Sequence, residues 1–248
     1  MASHKRSFKP VLGTIFTLGS TQVAEIISQS GFEWVLIDME HSTLSLESVQ
    51  TALQILGEKI LKIVRVPGND EIWIKRVLDT GCDGILVPMV KTAEEAERVI
   101  RSSLYPVEGQ RSVGLTRAHK YGAGFNEYVS AANQNLIIMI QIEHIEGVRN
   151  IDSILKVKGI DSIFIGPYDL SASMGLIGKV SHPEVKSAIG LIKQKCKKAG
   201  LPYGIFGMDP VTLSDELREG CTFLLCGVDS AILCSSYKEI LNKLKREV

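Results

Sequence analysis

The chain has 248 residues, 45% hydrophobic and 23% charged, with 28 Lys plus Arg balancing 28 Asp plus Glu. That is enough apolar chain for a sizeable core, and the charge balance gives neither the basic excess of a nucleic-acid binder nor an acidic tail, which leaves a small molecule as the expected partner. Five cysteines (Cys82, Cys196, Cys221, Cys226 and Cys234) without CxxC spacing suit a reducing compartment; no signal-type segment and no apolar run near the roughly 20 residues of a membrane span occurs, so a cytoplasmic protein with no membrane association is expected.

Residues 1–8 read as a flexible tail. Behind them, short apolar runs alternate with amphipathic stretches of helix length: "VLGTIFTL" (11–18), "WVLIDM" (34–39), "KIVRVP" (62–67) and "GILVPMV" (84–90) come first. "YPVEGQRSVGLTRAHKYGAG" (105–124) then interrupts the pattern with a Gly-rich, basic loop, a length usually kept for function. "LIIMIQIE" (136–143), "SIFIG" (162–166), "PYGIFG" (202–207) and "TFLLCG" (222–227) complete eight runs, and residues 230–248 read as a C-terminal helix ending in Lys and Arg. Near-continuous apolar strands separated by helices indicate a parallel sheet covered on both faces. Eight such units in this length predict a (β/α)8 TIM barrel forming one domain over 1–248. A doubly wound open sheet is the alternative, disfavoured because no GxGxxG follows the first strand.

In a barrel, chemistry gathers at the C-terminal ends of the strands. Polar residues interrupt the apolar runs at that same end: Asp38, Glu40 and His41 after strand two, Arg65 in strand three, Gln141 and Glu143 in strand five, and Asp169 just beyond strand six. Side chains two apart share a strand face, so Gln141 and Glu143 point together, and the interior suits them because an unpaired Glu against the helix layer is costly. Each has a blander reading. Glu143 could pair with Arg65 across the barrel, Asp169 could cap the helix starting near Leu170, and His182 before Pro183 could be a helix cap.

Taken in order, "GFEWVLIDMEHS", "VRVPGND", "VLDTGCDGILVPMV", "YPVEGQRSVG", "QIEHIEGVRNID", "FIGPYDLSASMG", "SHPEVKSAI" and "CGVDSAIL" resemble the HpcH/HpaI aldolases over nearly the whole chain. These are metal-dependent class II aldolases that cleave 2-oxo-4-hydroxy acids to pyruvate and an aldehyde. The resemblance implies a His–Asp dyad at His41 and Asp38, a pyruvate-binding Arg65, and metal carboxylates Glu143 and Asp169. It places Gln141, Gly166, Pro167 and Tyr168 at the substrate, and gives Asp79 a role as a carboxylate reaching water on the metal; Glu40 is open to either a supporting place behind the site or a subunit contact. It also implies Mg2+, Mn2+ or Co2+ as cofactor, and a homo-oligomer (a hexamer or trimer of dimers) in which the C-terminal helix packs against a neighbouring subunit. His144 and Tyr168 depart from the pattern, standing where many members carry smaller residues.

The chemistry accounts for these residue types. Breaking C3–C4 of a 2-oxo-4-hydroxy acid leaves electrons that must become pyruvate enolate, so a Lewis acid and a donor such as Arg65 are needed at the enolate oxygen. Two carboxylates on the metal leave room for substrate, which suits a hard octahedral ion. A base must take the C4 hydroxyl proton; imidazole titrates near neutrality and serves if a carboxylate fixes it, with Asp38 as the candidate orienter of His41. Oxaloacetate decarboxylation would accompany this as a side activity. The basic loop, with Arg111, Arg117, His119 and Lys120, is expected to reach an active site, its own or a neighbour's. Succinate semialdehyde, glyceraldehyde, lactaldehyde and acetaldehyde share one pyruvate half-site, so the aldehyde stays open. The rivals are a Schiff-base aldolase using Lys91, a phosphosugar isomerase, a family barrel acting mainly as a decarboxylase, and a non-catalytic metabolite-binding barrel.

Overall fold

A computed structural model describes residues 8–246. Eight parallel strands close in sequence order into a (β/α)8 barrel. The order is β1 (Val11–Phe16), α1 (Thr21–Gln29), β2 (Trp34–Asp38), α2 (Leu46–Leu56), β3 (Leu61–Arg65), α3 (Glu71–Asp79), β4 (Gly84–Val87) and α4 (Ala93–Ser103). After a short 3-10 segment at Arg117–Gly122 come α5 (Phe125–Asn135), β5 (Ile137–Ile142), α6 (Ile145–Arg149), α7 (Ile151–Ile154), β6 (Ser162–Ile165) and α8 (Pro167–Ser173). The chain closes with α9 (Pro183–Ala199), β7 (Tyr203–Gly207), α10 (Pro210–Arg218), β8 (Phe223–Val228) and α11 (Asp229–Arg246). Six of the eight strands end one to three residues before the apolar runs of the sequence do, and the residues shed there form the loops of the site.

Strand periodicity divides the core in two. One set of alternate residues packs against the helices; the other, with Ile15, Trp34, Leu36, Ile63, Leu86, Met139, Phe164, Phe223 and Leu225, fills the barrel. Trp34 fits because it faces glycine: a Cβ on Gly13 would stand 2.5 Å from its indole, well inside van der Waals contact. The helices start where sequence capping rules place them, with Ser20, Ser45, Asp70, Thr92 and Asp209 each accepting a backbone N–H of its own first turn. His182 caps α9 in the same way, as its position before Pro183 suggested.

One expectation fails here and another narrows to one of its alternatives. Of the tail assigned to residues 1–8, residues 1–7 lie outside the described residues, but Phe8 is packed, its ring 5.0 Å from that of Phe223 at the lower mouth of the barrel. The basic loop does not reach its own chain's site. Helix α4 runs back from the C-terminal end of β4, so the loop after it emerges at the opposite face of the barrel. There Arg111 bonds Asp79 at 2.9 Å and lies 4.5 Å over the Tyr105 ring, Arg117 donates to the Thr80 carbonyl at 2.6 Å, and buried His119 meets the Tyr105 hydroxyl at 3.1 Å. Only the exposed Lys120 among the four basic residues has none of these attachments. No described helix is long and apolar enough to cross a membrane.

Candidate active site

Three inward-facing rows of the barrel turn polar at their upper ends. In β2 the row runs Trp34, Leu36, Asp38; in β3 it runs Leu61, Ile63, Arg65; in β5 it runs Ile137, Met139, Gln141 and continues to Glu143. The parallel register sets Asp38 directly beside Arg65. Leu36, Asp38, Arg65 and Gln141 of these rows, with His41, Gly166, Pro167, Tyr168 and Asp169, line a cavity of about 400 Å³ at the C-terminal ends of the strands.

The pair at its base is bidentate. Arg65 donates from Nε to Asp38 Oδ1 at 2.8 Å and from a terminal nitrogen to Oδ2 at 2.7 Å, the geometry of a strong charge-assisted bond. Burial alone would raise the Asp38 carboxyl, but the hydrogen bonds and charge of Arg65, together with the backbone N–H groups of Glu40 and His41, outweigh it and hold it below the usual carboxylate value. The other terminal nitrogen of Arg65 points to Gln141 Oε1 at 3.5 Å and to Glu40 at 3.3 Å. That nitrogen is the one left for a substrate oxygen.

This changes the expected dyad. The Asp38 carboxylate is taken by Arg65 and by the backbone N–H groups of Glu40 and His41, while the His41 imidazole, 59% exposed, has its nearest carboxylate in Glu40, 3.8 Å from Nε2. The structure gives Asp38 to Arg65 and leaves Glu40 as the neighbour of His41. Asp79 is not brought in at all: at the last turn of α3 it lies at the opposite face of the barrel, paired with Arg111.

Glu143 is 1% exposed. Its Oε1 accepts the Met89 N–H at 2.8 Å and its Oε2 accepts from Gln141 Nε2 at 2.5 Å, so it does not pair with Arg65. Met89 reaches it from the left-handed region, φ 56°, a conformation that a non-glycine residue adopts only when its surroundings hold it there. Gly166 completes the arrangement: a Cβ there would stand 2.7 Å from both Cβ and Oε2 of Glu143 and 2.8 Å from Gln141 Nε2. Asp169 falls in the first turn of α8, whose cap is Gly166, so it does not itself cap the helix.

Burial pushes the Glu143 carboxyl up to about 8 despite the Met89 N–H, and the charges of Glu40 and Asp169 add to it. Burial likewise raises Glu40, against the pull of Arg65 and His41. Glu40 Oε2 is buried and makes no hydrogen bond, with only the charge of Arg65 at 3.3 Å to offset its burial. Three carboxylates thus crowd one guanidinium that Asp38 already engages, a surplus of negative charge that suits a divalent cation. No three His, Cys, Asp or Glu side chains among the described residues are gathered to enclose an ion. Glu143 and Asp169 would be its protein ligands, and substrate and water would supply the rest.

Sequence reasoning missed the Met89 N–H, which nothing about a methionine announces. It also missed Thr17, Phe206, Val228 and Ser230, which line the cavity from just after β1, from β7 and β8 and from the start of α11 and carry no ionisable group of their own.

The HpcH/HpaI aldolase/citrate lyase family model matches residues 14–236. The chain is 37% identical to a hydroxypyruvate/pyruvate aldolase of Pseudomonas aeruginosa over 246 residues, covering 97% of this chain and 90% of that protein. It is 38% identical to a 4-hydroxy-2-oxo-heptane-1,7-dioate aldolase of Shigella sonnei, over 91% of this chain and 87% of that one. Among solved structures, an HpcH/HpaI aldolase/citrate lyase family protein from Burkholderia cenocepacia superposes with a TM-score of 0.93 at 28% identity, covering 97% of this chain and 96% of that one.

Proposed function

The chain belongs to the HpcH/HpaI aldolase/citrate lyase family and is a carbon–carbon lyase of the aldolase type, and from that premise we propose that it is a divalent-metal-dependent enzyme cleaving 2-oxo-4-hydroxy acids to pyruvate and an aldehyde. The observation that carries this reading is the mutual electrostatic coupling of Glu143, Asp169 and Glu40 beside Arg65, at a cavity that Asp169 and Arg65 line. An ion held by Glu143 and Asp169, Mg2+, Mn2+ or Co2+, would supply the Lewis acid for the substrate's carboxylate and 2-oxo oxygens.

This chain's own residues do the rest. Arg65, fixed by Asp38, turns its remaining nitrogen to the oxygen on which enolate charge develops, a preorganised donor in a partly dehydrated site. Gln141 and Gly166 shape the floor beneath the 2-oxo acid, and Pro167 and Tyr168 wall it. His41 takes the C4 hydroxyl proton as the C3–C4 bond breaks, with Glu40 rather than Asp38 as its carboxylate neighbour. The C4 oxygen becomes the aldehyde carbonyl, the C3 electrons pass into the enolate, and protonation at C3 gives pyruvate. The same enolate forms when oxaloacetate loses CO2, so decarboxylation accompanies the main activity.

We also assign a homo-oligomer. On α11, Ile232, Leu233, Tyr237, Ile240, Leu241 and Leu244 are 39–70% exposed, an apolar stripe of a kind that soluble proteins cover with a partner. A neighbouring copy is also the remaining active site for the basic loop, and the remaining setting for Asp79.

The test is a retro-aldol screen that couples pyruvate release to NADH oxidation, across 2-oxo-4-hydroxy acids of varied length. Chelator should abolish turnover and added Mg2+, Mn2+ or Co2+ restore it. Full activity in excess chelator refutes the metal-dependent reading.

A further inference from the structure

The cavity has two unlike halves. The 2-oxo acid residues come from β2, β3, β5 and β6; the opposite arc, where β8 closes onto β1, brings Thr17, Val228 and Ser230 together. What organises that arc is Asp229, only 5% exposed at the start of α11. Its Oδ2 accepts the backbone N–H groups of Thr17 at 2.9 Å and Leu18 at 3.0 Å, and its Oδ1 accepts the Thr17 hydroxyl at 2.6 Å and its neighbour's N–H, that of Ser230, at 2.8 Å.

Loop N–H groups at the end of strand eight, beside a helix N-terminus, are where many barrels bind phosphate. Here one such group, the Ser230 N–H, is taken by the protein's own carboxylate, together with the Thr17 and Leu18 N–H groups and the Thr17 hydroxyl just after β1. A second consequence concerns polarity. Thr17 has one hydroxyl hydrogen, and Asp229 takes it, so toward the cavity Thr17 Oγ1 can only accept. Ser230 Oγ, 3.5 Å from it, can donate as well as accept. An acceptor backed by a buried carboxylate repels a carboxylate or phosphate, whereas a substrate hydroxyl can donate to Thr17 and accept from Ser230. The wall between the halves is apolar, with the Tyr168 and Phe206 rings 6.1 Å apart.

We propose that Thr17 and Ser230, set by Asp229, select the aldehyde: a short, neutral hydroxyaldehyde, bound through its hydroxyl and preferred over phosphorylated or carboxylated aldehydes. This rests on the aldolase reading above. Asp229 is a positioning residue; Thr17 and Ser230 touch the substrate.

The experiment measures aldol addition of pyruvate to D-glyceraldehyde, propanal, D-glyceraldehyde 3-phosphate and succinate semialdehyde by the metal-loaded enzyme, with pyruvate methyl-proton exchange into D2O followed by NMR on the same samples. Wild-type kcat/KM should be highest for glyceraldehyde. Ser230→Ala, an exposed position safe for folding, and Thr17→Val should each lower the glyceraldehyde-over-propanal ratio by about 2- to 10-fold, the effect of one neutral hydrogen bond, through KM. Asp229→Asn should erode the discrimination against the phosphorylated aldehyde. Preference of the wild type for either anionic aldehyde, or an equal effect of the variants on glyceraldehyde and propanal, overturns the inference while methyl-proton exchange and aldol addition persist. Loss of both exchange and addition with every aldehyde would instead remove the aldolase reading and this inference with it.

Discussion

Gly166→Ala tests the site with one methyl group. Gly166 has φ −99° and ψ 88°, negative-φ backbone open to alanine, so the effect is one of packing. The new Cβ would lie 2.7 Å from Glu143 Cβ and Oε2 and 2.8 Å from Gln141 Nε2. Ordinary contact begins about 0.7 Å further out, so the neighbours must yield. They cannot yield singly, because Gln141 donates to Glu143 and Glu143 is anchored on the Met89 N–H. Overpacking of this kind costs about 1–3 kcal/mol, which for a chain of this size lowers Tm by roughly 2–12 °C. Displacing a metal carboxylate by several tenths of an ångström should weaken metal affinity at least as much as losing its support does, about 10- to 100-fold. Calorimetric titration of Mn2+ into chelator-stripped protein, with scanning calorimetry beside it, measures both effects. Gly190→Ala is the control: it lies in α9 with nothing within 4 Å of the added atom and should stabilise slightly, since glycine is a poor helix former. Wild-type metal affinity and turnover in Gly166→Ala would refute the packing argument and with it the assignment of Glu143 as a ligand.

Asp38→Asn breaks a buried ion pair and should cost about 3–5 kcal/mol in denaturant unfolding, toward the lower figure because Glu40 stands 3.3 Å from Arg65. The folded Asp38 carboxyl is held below its ordinary value, so its stabilisation is full above the ordinary carboxylate range and fades as pH falls through the lowered folded value; the variant should show a shallower acid limb in chelated protein. His41→Ala should reduce aldol cleavage about 10²- to 10⁴-fold while sparing much of oxaloacetate decarboxylation, whereas Arg65→Ala should depress both; equal losses in both variants would show that His41 is not the hydroxyl base. Burial pushes the thiols of Cys82, Cys196 and Cys221 up to about 12, so at pH 8 at most two of the five cysteines should react with a thiol reagent in the native protein, and all five after unfolding.

Most of the fold was readable because a buried parallel strand leaves an unambiguous trace, a short apolar run between helix-length stretches, and eight of them leave few other architectures. The inward direction of Gln141 and Glu143 was readable for the same reason, since period two fixes it. The position of Asp79 was not. Its spacing after strand three says nothing of which barrel face the end of α3 reaches, and only the antiparallel return of that helix sends Asp79 to the far side. Thr17 and Asp229 lie 212 residues apart, joined by barrel closure, and no local pattern signals their bond. Met89 is silent for a different reason: its left-handed backbone is imposed by the loop between β4 and α4, and the residue type would argue against it.

The pairing of Asp38 shows where reading along the chain gives way to reading across it. Three residues separate Asp38 from His41, and on a helix that spacing would stack the two side chains. Asp38 instead ends a strand, with its side chain turned into the barrel, and His41 lies in the turn beyond, where the Asp38 carboxylate caps its backbone N–H rather than its ring. Across the sheet the parallel register leaves Asp38 one inward neighbour of opposite charge, Arg65. A buried carboxylate at 2% exposure must find such a partner, so burial and register together decide the contact. The acid that remains near His41 is Glu40, whose Oε2 stands between the imidazole, at 3.8 Å, and the free terminal nitrogen of Arg65, at 3.3 Å. The His41 ring therefore has no share in the Asp38 carboxylate, and Arg65 keeps that bidentate partner when His41 is replaced, which is the arrangement that allows proton transfer and enolate stabilisation to be separated by single substitutions.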